Sequence, residues 1–150
     1  MPMITLQELS VTSGPLLGVD PGTKTLGLAI SDPTRLIATP LETIRRQKFS
    51  LDAARLLSLY DANQVSALIV GLPLNMDGSK GPRAQSVKDF STNLMRLRDI
   101  PIFLWDERMS TLAVTRTMIS DDMSRKKRAE NVDKLAAAYI LQGLLDRLSH

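Results

Sequence analysis

Leu16-Leu-Gly-Val-Asp-Pro-Gly-Thr-Lys-Thr-Leu-Gly-Leu-Ala-Ile30 holds two apolar runs, Leu16–Val19 and Leu26–Ile30, around a tight polar loop. Leu, Val and Ile favour strands and Pro21-Gly22 supplies turn chemistry, so the stretch predicts two adjacent strands joined by a turn. Asp20 closes the first run, where every neighbour on the strand is apolar or glycine. A buried carboxylate without a partner costs several kcal/mol, so Asp20 must meet water, a cation or a metal. Taken alone, it is better explained as a turn residue capping the Gly22-Thr23 backbone. Two carboxylates further along the chain change the balance.

The 150 residues suffice for one domain with a real core, residues 15–150, preceded by a short extension over residues 1–14. Within that extension Thr5-x-x-Glu8 fits a capping box for one helical turn. No cysteine is present, which excludes disulfides and thiolate metal sites and points to a reducing cytoplasm. The one histidine, His150, is the final residue, so Ser-His-Asp and Cys-His mechanisms have no candidates. Hydrolytic chemistry must then rest on carboxylates, hydroxyls, lysines or a metal held by oxygen. A net charge of +3 is compatible with a polyanionic partner. No run approaches the ~20 apolar residues of a membrane span, and residues 1–14 lack the pattern of a signal peptide.

Along the chain, Arg35 to Ile44 predicts a third strand, with Pro40 favouring an edge or irregular position. Ser50 is placed to cap a helix whose Ala53, Leu56, Leu57 and Tyr60 share one face. Val65–Leu72 is nearly continuous apolar, as a strand covered on both faces should be. A loop over Leu74–Gly81 follows, and Pro82 opens a helix with the stripe Val87, Phe90, Leu94 and Leu97. Ile100–Trp105 predicts a fifth strand, ending in Asp106-Glu107-Arg108. Ser110 or Thr111 is placed to cap a helix to about Ser120, a basic stretch runs to Arg128, and a last helix extends from about Glu130 to Leu148. The order β-β-β-α-β-α-β-α-α predicts an α/β fold, a mixed five-stranded sheet with helices on both faces.

In the last helix Asp133 lies three, four, seven and eleven residues before Ala136, Ala137, Ile140 and Leu144, on one face. That face must pack on the sheet, so Asp133 is expected to point inward near the positive helix end. Glu107, like Asp20, lies at the carboxyl end of a buried strand, where open sheets place ligand sites. Each residue has a plainer role alone: Asp133 as a helix cap, though Asn131 serves as well, and Glu107 as a solvated partner of Arg108. Three carboxylates on elements that converge are harder to explain away. They repel one another unless cations hold them together. Oxygen ligands without His or Cys suit Mg²⁺ or Mn²⁺. Two such ions about 4 Å apart suit in-line phosphodiester hydrolysis, with Asp20 between them and Glu107 and Asp133 flanking.

Val19-Asp-Pro-Gly-Thr-Lys-Thr-Leu-Gly27, the loop Gly71-Leu-Pro-Leu-Asn-Met-Asp-Gly78 continuing to Gly81-Pro-Arg83, Asp106-Glu-Arg108 and Val132-Asp-Lys-Leu-Ala-Ala137 occur in that order. Together they resemble the YqgF family, described as Holliday junction resolvases and as nucleases that trim the 5′ end of pre-16S ribosomal RNA. The likeness spans roughly residues 16–146. It implies a ribonuclease H-like fold and matches Asp20, Glu107 and Asp133 to the family's acidic site residues. Relatives of the broader fold often carry a fourth acidic ligand; Glu130, one turn before Asp133, is the candidate here.

Lys24, Arg83, Arg108 and the run Arg125, Lys126, Lys127 and Arg128 are expected in loops or at element ends beside this site, where they would neutralise phosphates. Lys80 is better read as an ordinary solvated charge. Scarce aromatics argue for recognition by backbone and shape rather than base stacking. The expected partners are structured RNA or branched DNA, the RNA within a pre-ribosomal particle. A monomer or weak homodimer is expected, since only Met118, Ile119 and Met123 offer a small apolar patch. Two rivals stand beside this reading. Asp20-Pro-Gly-Thr23 also resembles the phosphate loop of actin-like and sugar-kinase ATPases, which need two such domains. A non-catalytic nucleic-acid-binding module would keep the fold without needing the acidic trio.

Overall fold

The computed structural model describes residues 3–73, 81–107 and 125–149, with side chains from Asp133 onward in the last segment. Strands β1 (Leu16–Pro21), β2 (Thr25–Ser31) and β3 (Ala38–Arg45) form an antiparallel meander. Helix α2 (Phe49–Ala62) leads to β4 (Ala67–Leu72), and helix α3 (Pro82–Leu97) leads to β5 (Ile102–Asp106). Both crossovers return parallel strands, so the sheet runs β3-β2-β1-β4-β5 with β1, β4 and β5 pointing the same way. The long helix α4 (Arg125–Leu148) closes the described chain. The expected mixed five-stranded α/β fold is therefore present, with β1 at the centre. The helix expected between Ser110 and Ser120 lies outside the described residues. No helix among the described residues is long and apolar enough to cross a membrane.

Strand alternation divides the core in two. Leu17, Val19, Leu26, Leu28, Leu68 and Val70 face α2 and α3, where they meet Leu56, Val87, Phe90 and Leu94. Leu16, Ala29, Ala67, Ile69 and Trp105 face α4, where they meet Ala136, Ala137, Ile140, Leu141 and Leu144. The whole predicted α4 stripe is thus buried. The stripe on α3 stops earlier than expected, because Leu97 lies at the end of the helix and stays exposed. Pro40 sits on the edge strand at an irregularity of register between Leu28 and Ala29, where its missing N–H breaks no ladder. Pro82 opens α3 as its sequence position predicts. The cap of α2 differs from expectation. Lys48, not Ser50, is the N-cap and makes no side-chain cap bond. Asp52 instead turns inward and accepts from the Gln47 backbone N–H at 3.0 Å, tying down the approach to the helix.

The amino-terminal extension is held to the domain. Helix α1 (Leu6–Ser10) starts with the predicted capping box: Glu8 N–H donates to Thr5 Oγ1 at 3.1 Å, and Thr5 N–H donates to Glu8 Oε1 at 3.0 Å. Leu9 is fully buried against the α4 side, and Ile4 N–H donates to Ile102 O on the outer edge of β5 at 2.9 Å. Arg35 staples the segment from the β2–β3 loop, donating to Gly14 O at 2.8 Å, Leu9 O at 3.0 Å and Thr12 Oγ1 at 2.8 Å.

That loop is itself organised by Asp32. Its carboxylate accepts from the Thr34 hydroxyl and, at 2.8 Å each, from the Leu36 and Ile37 backbone N–H groups. These bonds, the Thr34 hydroxyl foremost, favour the charged form and pull Asp32 down to about 2. The folded value lies below the unfolded one of about 3.9, so the loop's support is complete above that pH and lost as pH falls through 2. A carbon-detected NMR titration should place the Asp32 carboxyl midpoint near 2, with loss of amide protection at Leu36 and Ile37 on the same curve. A midpoint in the ordinary carboxylate range would refute the arrangement.

Candidate active site

The alternation that buries Leu17 and Val19 toward α2 and α3 turns Asp20 to the α4 face, at the carboxyl end of the central strand. Only 6% of Asp20 is exposed, so it cannot be a solvated turn residue. Its cross-strand partner is Gly27, which leaves no side chain beside it on β2. On β4 the same face carries Gly71. A Cβ there would lie 2.9 Å from Glu107 Oε1 and 2.8 Å from Ile140 Cδ1. The Glu107 carboxylate therefore lies over Gly71, between the end of the sheet and α4. Because β1, β4 and β5 are parallel, with Leu72 beside Asp106, their carboxyl ends bring Asp20 and Glu107 to one edge of the molecule.

Asp133 reaches the same edge from α4. A Cβ at Gly27 would lie 2.0 Å from the Asp133 carbonyl oxygen and 2.3 Å from its carbonyl carbon. Only glycine lets the helix backbone settle this closely on β2. The Asp133 carboxylate is held in turn by the Thr25 hydroxyl, which donates to Oδ2 at 2.5 Å. The helix begins earlier than expected, at Arg125, so Asp133 lies more than two turns inside it. The helix macrodipole fades within the first turn, and the Thr25 hydroxyl, not the helix end, is what supports the charge.

Asp20, Glu107 and Asp133 thus line one cleft of ≈ 270 Å³, together with Pro21, Gly22, Pro73 and Arg83. Among the described residues no three acidic side chains are drawn together into a finished metal cage. The donor set remains one of carboxylates alone on three separate elements, which fits a hard divalent cation and no softer metal.

Two guanidinium groups fix the turn that follows Asp20. Arg83, in the first turn of α3, donates from Nη2 to Pro21 O. Arg46, just past β3, donates from Nη1 to Gly22 O at 2.6 Å and lies 5.6 Å above the Phe90 ring. The turn is therefore held from both sides of the α2–α3 layer. Lys24 is exposed at its tip. Arg108 lies outside the described residues, as do the side chains of Glu130 and of Arg125, Lys126, Lys127 and Arg128. The backbone of that basic run forms the first turn of α4, an element end as expected, although the helix was expected to start only near Glu130. Thr25 and Arg46 were missed by sequence reasoning. The one available signal for Thr25 was its parity with Gly27 and Ala29, which puts it on the α4 face.

A family model described as RuvX, Holliday junction resolvase, matches residues 14–147. A protein of Paramagnetospirillum magneticum named "Putative pre-16S rRNA nuclease" is 63% identical over 134 residues, covering 89% of this chain and 86% of that protein. One of the same name from Methylocella silvestris is 58% identical over 149 residues, covering 97% of this chain and 92% of its own length. Among solved structures, Thermus thermophilus RuvC in complex with a Holliday junction substrate superposes with a TM-score of 0.57 at 16% identity. The match covers 91% of this chain and 96% of that one, and establishes a shared ribonuclease H-like fold.

Proposed function

The chain belongs to the RuvX family and is a nuclease, a hydrolase of phosphodiester bonds, and we propose that it trims the 5′ end of precursor 16S ribosomal RNA. In this reading Asp20, Glu107 and Asp133 hold Mg²⁺ or Mn²⁺. The observation that carries it is the cleft at the carboxyl ends of the parallel strands, lined by one carboxylate each from β1, the end of β5 and α4. The chemistry such ions supply when bound is activation of water and stabilisation of charge on the leaving oxygen. Everything else falls to the chain's own residues.

Asp20 is the fixed member, buried on the most enclosed strand of the sheet. Asp133 is held in one orientation by Thr25, and Glu107 by its seat over Gly71. Arg83 lines the cleft and brings positive charge to the phosphate while steadying the turn beside Asp20. Lys24, Arg108 and the run Arg125, Lys126, Lys127 and Arg128 contact backbone phosphates away from the reacting bond. The protein works in the cytoplasm, on a pre-ribosomal particle, as a monomer or weak dimer. One cut suffices for an RNA end.

The names of the relatives favour the RNA, and the family description favours a second reading, resolution of a four-way DNA junction. Cleavage assays on a precursor 16S fragment and on a four-way junction, with light scattering in parallel, separate them. The expected result is divalent-metal-dependent trimming of the RNA by a monomer or weak dimer. A stable dimer that makes paired symmetric nicks in the junction, and leaves the RNA intact, would overturn the RNA reading.

Thr25 provides a finer check. Thr25→Val removes the donor to Asp133 and should lower kcat by about 10- to 100-fold with little change in KM, the usual cost of losing a partner behind a metal ligand. Thr25→Ser keeps the donor and should restore most of the rate. Equal rates in the valine and serine variants would remove Thr25 from the mechanism.

A further inference from the structure

Beside the cleft lies a cationic stretch that the proposed mechanism leaves unused, Arg45 to Lys48. Strand β3 runs the same way as β1, so Arg45, its last residue, falls at the cleft end of the sheet. Arg45 pairs with Thr25 in the β2–β3 ladder. Its neighbour Ile44 is buried toward α2 and α3, so alternation turns Arg45 to the α4 face, the face on which Thr25 holds Asp133. Directly opposed side chains on neighbouring strands stand roughly 5 Å apart at Cβ. Arg45 therefore flanks the Asp133 side of the cleft, as Arg83 flanks the Asp20 side.

The stretch is pinned in place. Arg46 N–H donates to Lys24 O at 2.8 Å, and the Arg46 guanidinium is spent on Gly22 O and the Phe90 ring. This joins the tip of the β1–β2 turn to the start of α2, and Lys24, Arg45 and Lys48 are all exposed. The two nearest acids in sequence do not neutralise it. Asp52 is buried and accepts from Gln47 N–H, and Glu42 is held by Arg55 at 2.5 Å.

We propose that Lys24, Arg45 and Lys48 form a second phosphate track, carrying the nucleic-acid strand that leaves the cleft across the β2–β3 end of the sheet. The proposal rests on the nuclease reading and adds Arg45 and Lys48 to the binding surface. Its chemistry is that of a phosphodiester backbone: three exposed cations, and no exposed aromatic among the described residues of the stretch.

The test is salt-dependent binding, in chelator to prevent cleavage, of a 5′ fragment of precursor 16S rRNA and of a four-way DNA junction, followed by steady-state cleavage with metal. Each lost phosphate contact flattens the slope of log K against log salt by roughly 0.7–0.9. The double variant Arg45→Ala, Lys48→Ala should thus lose about 1.5 from the slope and raise KM, with kcat near wild type. Arg45→Lys alone should keep the slope. Arg96→Ala is the control, an exposed cation about 20 Å along α3 from Arg83, and should change nothing. Flattening on the RNA, on the DNA or on both supports the track and identifies the backbone it carries. A double variant with the wild-type slope on both would overturn it. Wild-type protein that neither binds nor cuts either substrate would instead sink the nuclease reading beneath it.

Discussion

Asp20→Asn should abolish cleavage, by at least about 1,000-fold, while leaving fold and nucleic-acid binding intact. A factor of that size is about 4 kcal/mol of transition-state stabilisation. Asn keeps the volume and one oxygen but carries no charge, so a divalent ion held as proposed would lose its central anionic ligand. Asp20 is 6% exposed at the end of the central strand, and no other acid is available on β1 to replace it. Three carboxylates lining one small cleft repel each other without a cation, so metal-free thermal stability should hold or rise in the variant. Kinetics on the precursor fragment, with circular dichroism and a binding titration, make the check. Residual activity within ten-fold of wild type would take Asp20 out of the metal site.

Gly27→Ala should cost more stability than any exposed substitution and remove activity as well. Its new Cβ would sit 2.0 Å from the Asp133 carbonyl oxygen, far inside contact distance, and the obstructing atoms are helix backbone that cannot rotate away. Either β2 or α4 must shift. Overpacking of this kind costs typically 1–3 kcal/mol and sometimes more, and this site, which opposes two backbones, belongs at the upper end, about 3 kcal/mol. For a domain of this size that is a fall in Tm of roughly 10 °C. The shift also draws Asp133 away from Asp20, the cross-strand partner of Gly27. Calorimetry and cleavage assays should move together. A variant that melts like wild type and still cuts would show that the helix does not bear on Gly27.

Much of this was legible in the sequence because burial leaves a period. The alternation of β1 and β2, the continuous apolar run of β4 and the stripe Ala136, Ala137, Ile140 and Leu144 each report which face is covered. A carboxylate in register with such a pattern is conspicuous, which is how Asp20 and Asp133 stand out. What the pattern does not report is contact between distant polar residues. Thr25 looks like part of a turn until the helix that carries Asp133 is laid across it. The start of α4 was misplaced for a different reason. Arg and Lys are good helix formers, so a basic run satisfies a helix as readily as a loop, and its charge says nothing about which. The Ser50 cap failed because α2 starts at Phe49, which puts Ser50 inside the first turn, and the backbone leading into the helix is held by Asp52 instead.

The bond between Thr25 and Asp133 joins residues 108 positions apart. Strands β1 and β2 are synthesised well before the helix that supplies Asp133. Until α4 has emerged, a nascent chain holds two of the three proposed ligands and an uncovered apolar sheet face of Leu16, Ala67, Ile69 and Trp105. Such a face is an aggregation hazard, and contacts this remote in sequence form late. In the proposed reading, competence to cut therefore waits for α4: a chain interrupted before that helix lacks Asp133 and should not cut.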